Sequence, residues 1–279
     1  MRKYKRVYVE ITKRCNLNCS FCVKENSEQK DLSLSDFKMI ADQLPELTST
    51  VYYHILGEPL LHPELDEMLK YAKDLGLKNS LTTNGLLLKD KLGKWSDLNI
   101  NRLNISLQAY FDKNNQLNSD KAKEIVEVAR ELQKEIQTVV FFRLWDMDNP
   151  DNQQMALWLE ETFKTKIDYT QVNKPNGFQL GDWFRLHEGK RFVWPTNALK
   201  GTSSGFCEGL RTHFGILSEG TVVPCCLDAY GQIPLGNIHQ QTLKEILESP
   251  KALEIYNSFS KRQALDPLCI KCEYKSRFD

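Results

Sequence analysis

Between Val7 and Val172 the chain switches repeatedly between two hydrophobic periods. Short runs, alternating or continuously apolar, predict strands at residues 7–11, 51–55, 80–83, 102–107, 138–144 and 167–172. Helical spacing predicts the segments between them: 36–44 behind the cap candidate Ser35, and 63–75 ending at Gly76. It also predicts 120–133, with Ile125, Val128, Ala129 and Leu132 on one face, and 152–163 behind the breaker Pro150. Strands alternating with helices predict an α/β fold with parallel strands and right-handed crossovers. Six such units are too few for a closed eight-fold barrel, which leaves a partial barrel or an open doubly wound sheet.

The rhythm breaks over residues 173–206, where Pro175, Gly177, Trp183, Trp194, Pro195 and the small-residue run 201–205 predict a connecting segment. Beyond Leu210 the pattern is that of a small separate domain. It predicts a hairpin, 214–217 and 221–223, turning at Glu219-Gly220, then a helix over 243–259. The expected organisation is therefore 1–172, 173–206 and 207–279. Hydrophobic content of 41% with 27% charged residues is ordinary for a globular protein and excludes disorder, collagen and coiled coil. Lys and Arg total 37 and Asp and Glu 37, so no net field points to a nucleic acid. No apolar run approaches the ~20 residues that cross a bilayer. The basic start leads into no apolar signal segment, so the expected location is cytoplasmic.

The eight cysteines carry more information: Cys15, Cys19 and Cys22 near one end, then Cys207, Cys225, Cys226, Cys269 and Cys272. A disulfide framework belongs to small secreted chains, so thiols gathered at two places point to metal sites in a reducing compartment. In Cys15-Asn16-Leu17-Asn18-Cys19-Ser20-Phe21-Cys22, three thiolates follow the first strand. Three thiolates hold three irons of a [4Fe–4S] cluster and leave the fourth iron open to a chelating small molecule. A zinc loop completed by His54 or His62, and chance clustering, are the alternatives.

With this motif on the first loop, the sequence resembles the radical S-adenosylmethionine (SAM) superfamily, whose fold is a partial (βα)6 barrel. Gly57-Glu58-Pro59 resembles its glycine–glutamate motif, with Leu56 in place of the first glycine. The resemblance implies that Glu58 binds the methionine amino group, with Phe21, Gly57 and Pro59 beside it. Thr83 and Asn84 after the third strand, and Ser106 and Gln108 on the fourth, match positions that contact the methionyl or ribose groups. It also implies reductive cleavage of SAM to a 5′-deoxyadenosyl radical, which abstracts hydrogen from a substrate. Cys207, Gly220, Cys225 and Cys269-Ile270-Lys271-Cys272 resemble the Twitch or SPASM extension, in which Cys207, Cys225, Cys269 and Cys272 would ligate one auxiliary [4Fe–4S] cluster. A four-cysteine zinc site has the same spacing logic. Cys226 is unassigned, a spare thiol or an alternative ligand.

Within the superfamily the cysteine pattern is most similar to the dehydrogenases that oxidise 2-deoxy-scyllo-inosamine. That implies a redox reaction in which the auxiliary cluster accepts the electron left on the substrate. Arg143 in the fifth strand, and Tyr53 and His54 on the second, are the candidate catalytic residues. Arg143 is costly inside an apolar strand unless paired, so a carboxylate or phosphate partner is expected: it holds the methionyl carboxylate or an anionic substrate, or forms a structural ion pair. Arg185, His187 and Arg191 are further candidates for an anionic substrate. A small-molecule oxidoreductase is the favoured class. A peptide or protein maturase is the second, weakened because only six residues precede the first strand. RNA modification, resting on the basic N-terminus and Lys271, Lys275 and Arg277, is the third. A non-catalytic metal-binding protein is the outside alternative. The expected partners are an undetermined substrate and a reductant such as flavodoxin or ferredoxin, with no membrane.

Overall fold

The computed structural model describes residues 2–23, 30–112, 114–147, 149–196 and 200–278. Its strands and helices alternate through most of the chain: β1 (Arg6–Val9), α1 (Leu34–Ala41), β2 (Thr50–Tyr52), α2 (Leu65–Asp74), β3 (Lys78–Thr83), β4 (Ile100–Ser106), α3 (Ser119–Ile136), β5 (Val140–Trp145) and α4 (Pro150–Phe163). Then come β6 (Phe178–Gly181), β7 (Phe184–Gly189), β8 (His213–Ile216), β9 (Thr221–Val223), β10 (Gly236–Asn237), α5 (Leu243–Leu247), α6 (Pro250–Ser260) and α7 (Pro267–Lys271). The chain divides into two compact units, one of Met1–Lys78 with Phe192–Asp279, the other Asn79–Arg191.

In the first unit the strand order is β10-β9-β8-β1-β2, with β1 parallel to both β2 and β8 and with antiparallel pairings at β8–β9 and β9–β10. Alternation along β1 sorts its side chains: Val7 and Val9 are fully buried, whereas Arg6 and Tyr8 take the other face. There Tyr8 sits 5.3 Å from the Tyr52 ring and 5.7 Å from both His54 and His213. The opposite side is covered by α1 and α2, whose Phe37, Ile40, Leu65, Met68, Leu69 and Ala72 are fully buried at helical spacing. Ser33, not Ser35, caps α1, because its backbone is extended and its hydroxyl accepts the Asp36 N–H at 3.0 Å.

In the second unit the order is β3-β4-β5-β7-β6, parallel except for the β6–β7 hairpin. The sixth parallel strand is β7, not residues 167–172. Those residues form turns, because the Asp168 carboxylate accepts both the Thr170 N–H and its hydroxyl and so closes the backbone on itself. The segment expected to connect the domains thus supplies a strand, its apolar positions Phe184 and Leu186 buried. The helix expected over 243–259 is two. Thr242 and Glu245 form a capping box on α5, and Ser249-Pro250 starts α6 afresh, Pro250 having no N–H to continue the first. Among the described residues no helix is long and apolar enough to cross a membrane.

Candidate active site

The loop that follows β1 is built around Asp31. Its carboxylate accepts from the Thr12 hydroxyl at 2.6 Å and from Arg14 Nε and NH2 at 3.0 and 2.6 Å, which ties together the two ends of the cysteine loop. Burial opposes the Asp31 charge, but the Thr12 and Arg14 bonds outweigh it and hold the carboxyl below its usual range. Arg14 NH2 also reaches the Leu61 carbonyl at 2.7 Å, and the Arg14 carbonyl accepts the Glu58 N–H at 2.7 Å. Between these bonds the Gly57 backbone, at φ +78°, lies against the Thr12 carbonyl so closely that any Cβ would collide with it. Glu58 follows, 2% exposed, with Oε1 accepting the Leu60 N–H at 3.1 Å. The neighbouring Glu10 is fully buried. It accepts from Leu56 N at 3.2 Å and from Ser218 N and Oγ at 3.3 Å, with Lys13 3.9 Å away. Burial is the largest influence on Glu10 and pushes its pKa up to about 7.

This frame presents Cys15, Cys19 and Cys22, all half-exposed, on one short loop, where Cys22 N donates to the Cys19 carbonyl at 3.0 Å. Phe21 holds the same loop through its carbonyl, which accepts Trp194 Nε1–H at 3.1 Å. His62 does not complete a zinc site. It is buried, with Nε2 2.9 Å from the Leu32 carbonyl and Nδ1 accepting the Glu64 N–H at 3.1 Å. Tyr53 lies on the wrong side for catalysis: it is 1% exposed against the Phe37 ring of α1, because the alternation that buries it turns Tyr52 and His54 toward Tyr8.

In the second unit Thr83, Asn84, Ser106 and Gln108 lie at or just past the carboxyl ends of β3 and β4, where ligands of parallel α/β sheets gather. After β3, Thr83 Oγ1 accepts the Gly85 N–H at 2.9 Å and Asn84 Oδ1 the Leu86 N–H at 3.0 Å, fixing a tight turn. Ser106 ends β4, in register with Arg143 of β5, whose guanidinium lies 5.5 Å from the Trp145 ring. Both amide atoms of Gln108 are buried with no hydrogen-bond partner among the described residues. An amide in that state fits a polar ligand at this strand end, as SAM requires. Arg191 closes a turn on Asp146, 3.3 Å from its carboxylate.

The other cysteines converge in the first unit. Cys207, Cys225, Cys269 and Cys272 line one cavity, together with Asp228, Phe259 and Lys275. Burial pushes the Cys207 thiol up to about 11 and those of Cys225, Cys269 and Cys272 upward as well. Such thiols ionise only with a cation among them, so the donor set suits a thiolate-ligated metal cluster. Among the described residues no three Cys, His, Asp or Glu are grouped for a single metal ion. Cys226 does not line that cavity and packs, with Cys22 and Tyr8, against a core of Val23, Ile55, Leu56, Leu217, Val223 and Ala229. Gly220, at φ +85°, makes the hairpin turn between the first two cysteines. Lys275, read from sequence as part of a basic tail, is 5% exposed and donates to the carbonyls of Cys269, Ile270 and Cys272 at 3.1, 2.9 and 3.0 Å. Arg277 is likewise occupied, its guanidinium 4.4 Å from the Tyr274 ring. Sequence reasoning also missed Asp31 and Glu10, since nothing in a carboxylate's local pattern signals a distant partner.

Residues 9–158 match the Radical SAM superfamily, and residues 207–273 match the SPASM iron–sulfur cluster-binding domain. An AdoMet-dependent heme synthase of Methanosarcina barkeri is 25% identical over 313 aligned positions, covering 95% of this chain and 87% of that protein. Several other curated relatives, among them a cofactor-modifying protein of Pyrococcus furiosus and a probable GTP 3′,8-cyclase of Methanococcus maripaludis, are matched over only 26% to 37% of their own length. The crystal structure of BtrN in complex with AdoMet and 2-DOIA superposes with a TM-score of 0.64 at 16% identity, covering 98% of this chain and 94% of that one. Streptococcus suis SuiB bound to its precursor peptide SuiA gives 0.63 at 18% identity, covering 98% of this chain and 72% of that one. Those likenesses are of fold. The cofactors of such a chain are a [4Fe–4S] cluster with SAM and, in its C-terminal domain, auxiliary iron–sulfur chemistry. With more than half of its length matched, this chain belongs to the Radical SAM superfamily and carries a C-terminal SPASM domain.

Proposed function

We propose that the protein is a radical SAM oxidoreductase acting on a small molecule, and that Cys15, Cys19 and Cys22 hold its first cluster. The carrying observation is the cavity in which Cys207, Cys225, Cys269 and Cys272 meet. Four thiolates satisfy a cluster completely, so a second cluster there is suited to moving electrons rather than to binding substrate. When bound, SAM and the two clusters supply a 5′-deoxyadenosyl radical for hydrogen abstraction and a second redox centre for the electron left on the product.

This chain's own residues do the rest. Glu58, pinned through its N–H to the Arg14 carbonyl, offers the methionine amino group a carboxylate, and Gly57 lets that backbone approach the cysteine loop. Within the second unit, Thr83, Asn84, Ser106 and Gln108 are the residues proposed for polar contacts to the methionyl or ribose groups, the unpartnered Gln108 amide being the observation that supports this. Arg143 is the candidate for orienting the substrate through its charge, and His54 the candidate for taking up a proton. A small reductant protein of the flavodoxin or ferredoxin class supplies the priming electron. BtrN, solved with AdoMet and 2-DOIA, supports a small-molecule substrate, its structure being matched along nearly its whole length. A peptide substrate is the second reading, favoured by the fold shared with peptide-bound SuiB.

Anaerobic iron and sulfide analysis, combined with SAM cleavage under dithionite, tests the assignment. About eight irons per chain are expected in the reconstituted protein. The Cys15→Ala/Cys19→Ala/Cys22→Ala variant should keep about four irons and make no 5′-deoxyadenosine. Undiminished cleavage by that variant would refute the first site. A zinc content near one per chain that persists in iron-rich medium would refute the second.

A further inference from the structure

The segment from Leu56 to Glu58 is laid along the chain that leaves β1, and three successive contacts hold it there. The Glu58 N–H donates to the Arg14 carbonyl at 2.7 Å, and Gly57 packs on the Thr12 carbonyl. The Leu56 N–H donates to Glu10 Oε1 at 3.2 Å. The first two contacts use backbone atoms that any sequence would provide. The third uses a carboxylate, so of the three it is the one that a change of charge alters. Glu10 is fully buried, and the radical chemistry gives it no task.

The other oxygen of Glu10 faces the C-terminal part of the chain. Oε2 lies 3.3 Å from both N and Oγ of Ser218, in the turn between β8 and β9, which falls between Cys207 and Cys225 in sequence. The Glu10 N–H donates to the Ile216 carbonyl at 2.8 Å, which fixes the backbone beside that turn. The charged groups around the carboxyl are Lys13, 3.9 Å from Oε2, and Glu219, 2.9 Å from Lys13. Glu58 follows two residues after Leu56. A carboxylate accepts hydrogen bonds roughly twice as strongly as a neutral group, and its two oxygens serve both neighbours at once. Burial opposes the charge and is the largest influence, so the Glu10 pKa rises to about 7 despite Lys13 and the two N–H donors. The joint is therefore stronger above neutral pH, at a cost to the fold.

We propose that Glu10 is a positioning residue for SAM: its ionised carboxylate ties the Leu56–Glu58 segment to the β8–β9 turn, so that SAM affinity depends on that turn and on pH. The inference rests on the reading of Glu58 as the SAM carboxylate, and Glu10 acts through that segment. Gln is the discriminating replacement. It has one acceptor oxygen, and its NH2 meets an N–H donor on the other side, so it cannot serve both Leu56 and Ser218. Either loss uncouples the segment from the turn. The same substitution removes a buried charge, which favours the fold. Stability and SAM affinity should then move in opposite directions, which damage to the fold would not produce.

Equilibrium dialysis of radiolabelled SAM against the cluster-loaded enzyme tests it, from about pH 6 to about pH 8. At the upper end Glu10→Gln should bind SAM about tenfold more weakly than the natural protein, the effect of losing one charged hydrogen bond. The ratio of the two affinities cancels the titration of SAM itself. It should shrink as pH falls through 7, where the natural protein also comes to hold a neutral acid. Ser218→Ala should weaken SAM binding in the same direction, and the double variant should lose less than the two losses added. Amide hydrogen exchange in the SAM-free, cluster-loaded natural enzyme needs no variant, so the claim stays testable even if both fail to fold. There, protection of residues 55–58, corrected for intrinsic exchange, should rise as pH passes 7. SAM affinity unchanged by either substitution, additive losses, a ratio independent of pH or a flat protection profile would each overturn the inference. Absence of SAM binding by the natural enzyme would instead sink the reading beneath it.

Discussion

Lys275 shows how a single side chain changes meaning once its surroundings are known. A lysine four residues before the last is ordinarily a solvated cation, yet its ammonium is buried in the carbonyls of Cys269, Ile270 and Cys272 and lines the cavity of the four thiols. A fixed positive charge beside a cluster that gains an electron stabilises the reduced state. Lys275→Met should therefore lower the midpoint potential of the second cluster, on the order of 50 mV, in a redox titration followed by electron paramagnetic resonance. An unchanged potential would mean that the three carbonyl dipoles already cancel the charge. The cysteines behaved differently, because thiol spacing is itself a chemical signal that needs no neighbour to be read.

At the scale of elements, the joints between strands carry the information that periodicity lacks. Glu10 joins the Leu56 N–H ahead of Gly57-Glu58 to Ser218 in the β8–β9 turn, and this joint should be sensitive to pH. Its pKa in the fold, about 7, lies above the ordinary 4.5 because burial favours the neutral acid. A raised carboxyl pKa contributes stability that is fully present below about pH 4.5 and is lost as pH rises through 7. Glu10→Gln holds a neutral side chain at every pH. Relative to the natural protein it should thus gain up to about 3 kcal/mol between pH 4.5 and 8, measured by anaerobic denaturant unfolding of both. Equal pH profiles would show that Lys13, with Glu219 2.9 Å beyond it, already neutralises the site. The strands and helices themselves were largely legible, since apolar spacing at periods of two and 3.6 survives without tertiary context. The failures fell where local chemistry overrides period: the Asp168 turn inside an apolar run, and Pro250 inside a helical one.

For the whole molecule, the decisive test separates the two cysteine groups by function. Once a substrate is turned over, Cys269→Ala should suppress product far more than 5′-deoxyadenosine, because hydrogen abstraction needs only the first cluster. Cys226→Ala, whose thiol packs in the apolar core, should leave both unchanged. A folded Cys269→Ala protein lacking its second cluster yet turning over normally would reduce that cluster to a structural staple. The sequence by itself determined the α/β class, both cysteine groups and the glycine–glutamate loop, because each is written in spacing along the chain. Only the tertiary structure decided that four distant thiols share one cavity while Cys226 does not. It also moved the sixth parallel strand to β7 and closed the cysteine loop on Asp31. The physical reason is common to all of these: burial, register and charge pairing depend on which residues the fold brings together, and that distance is not recorded in the order of residues.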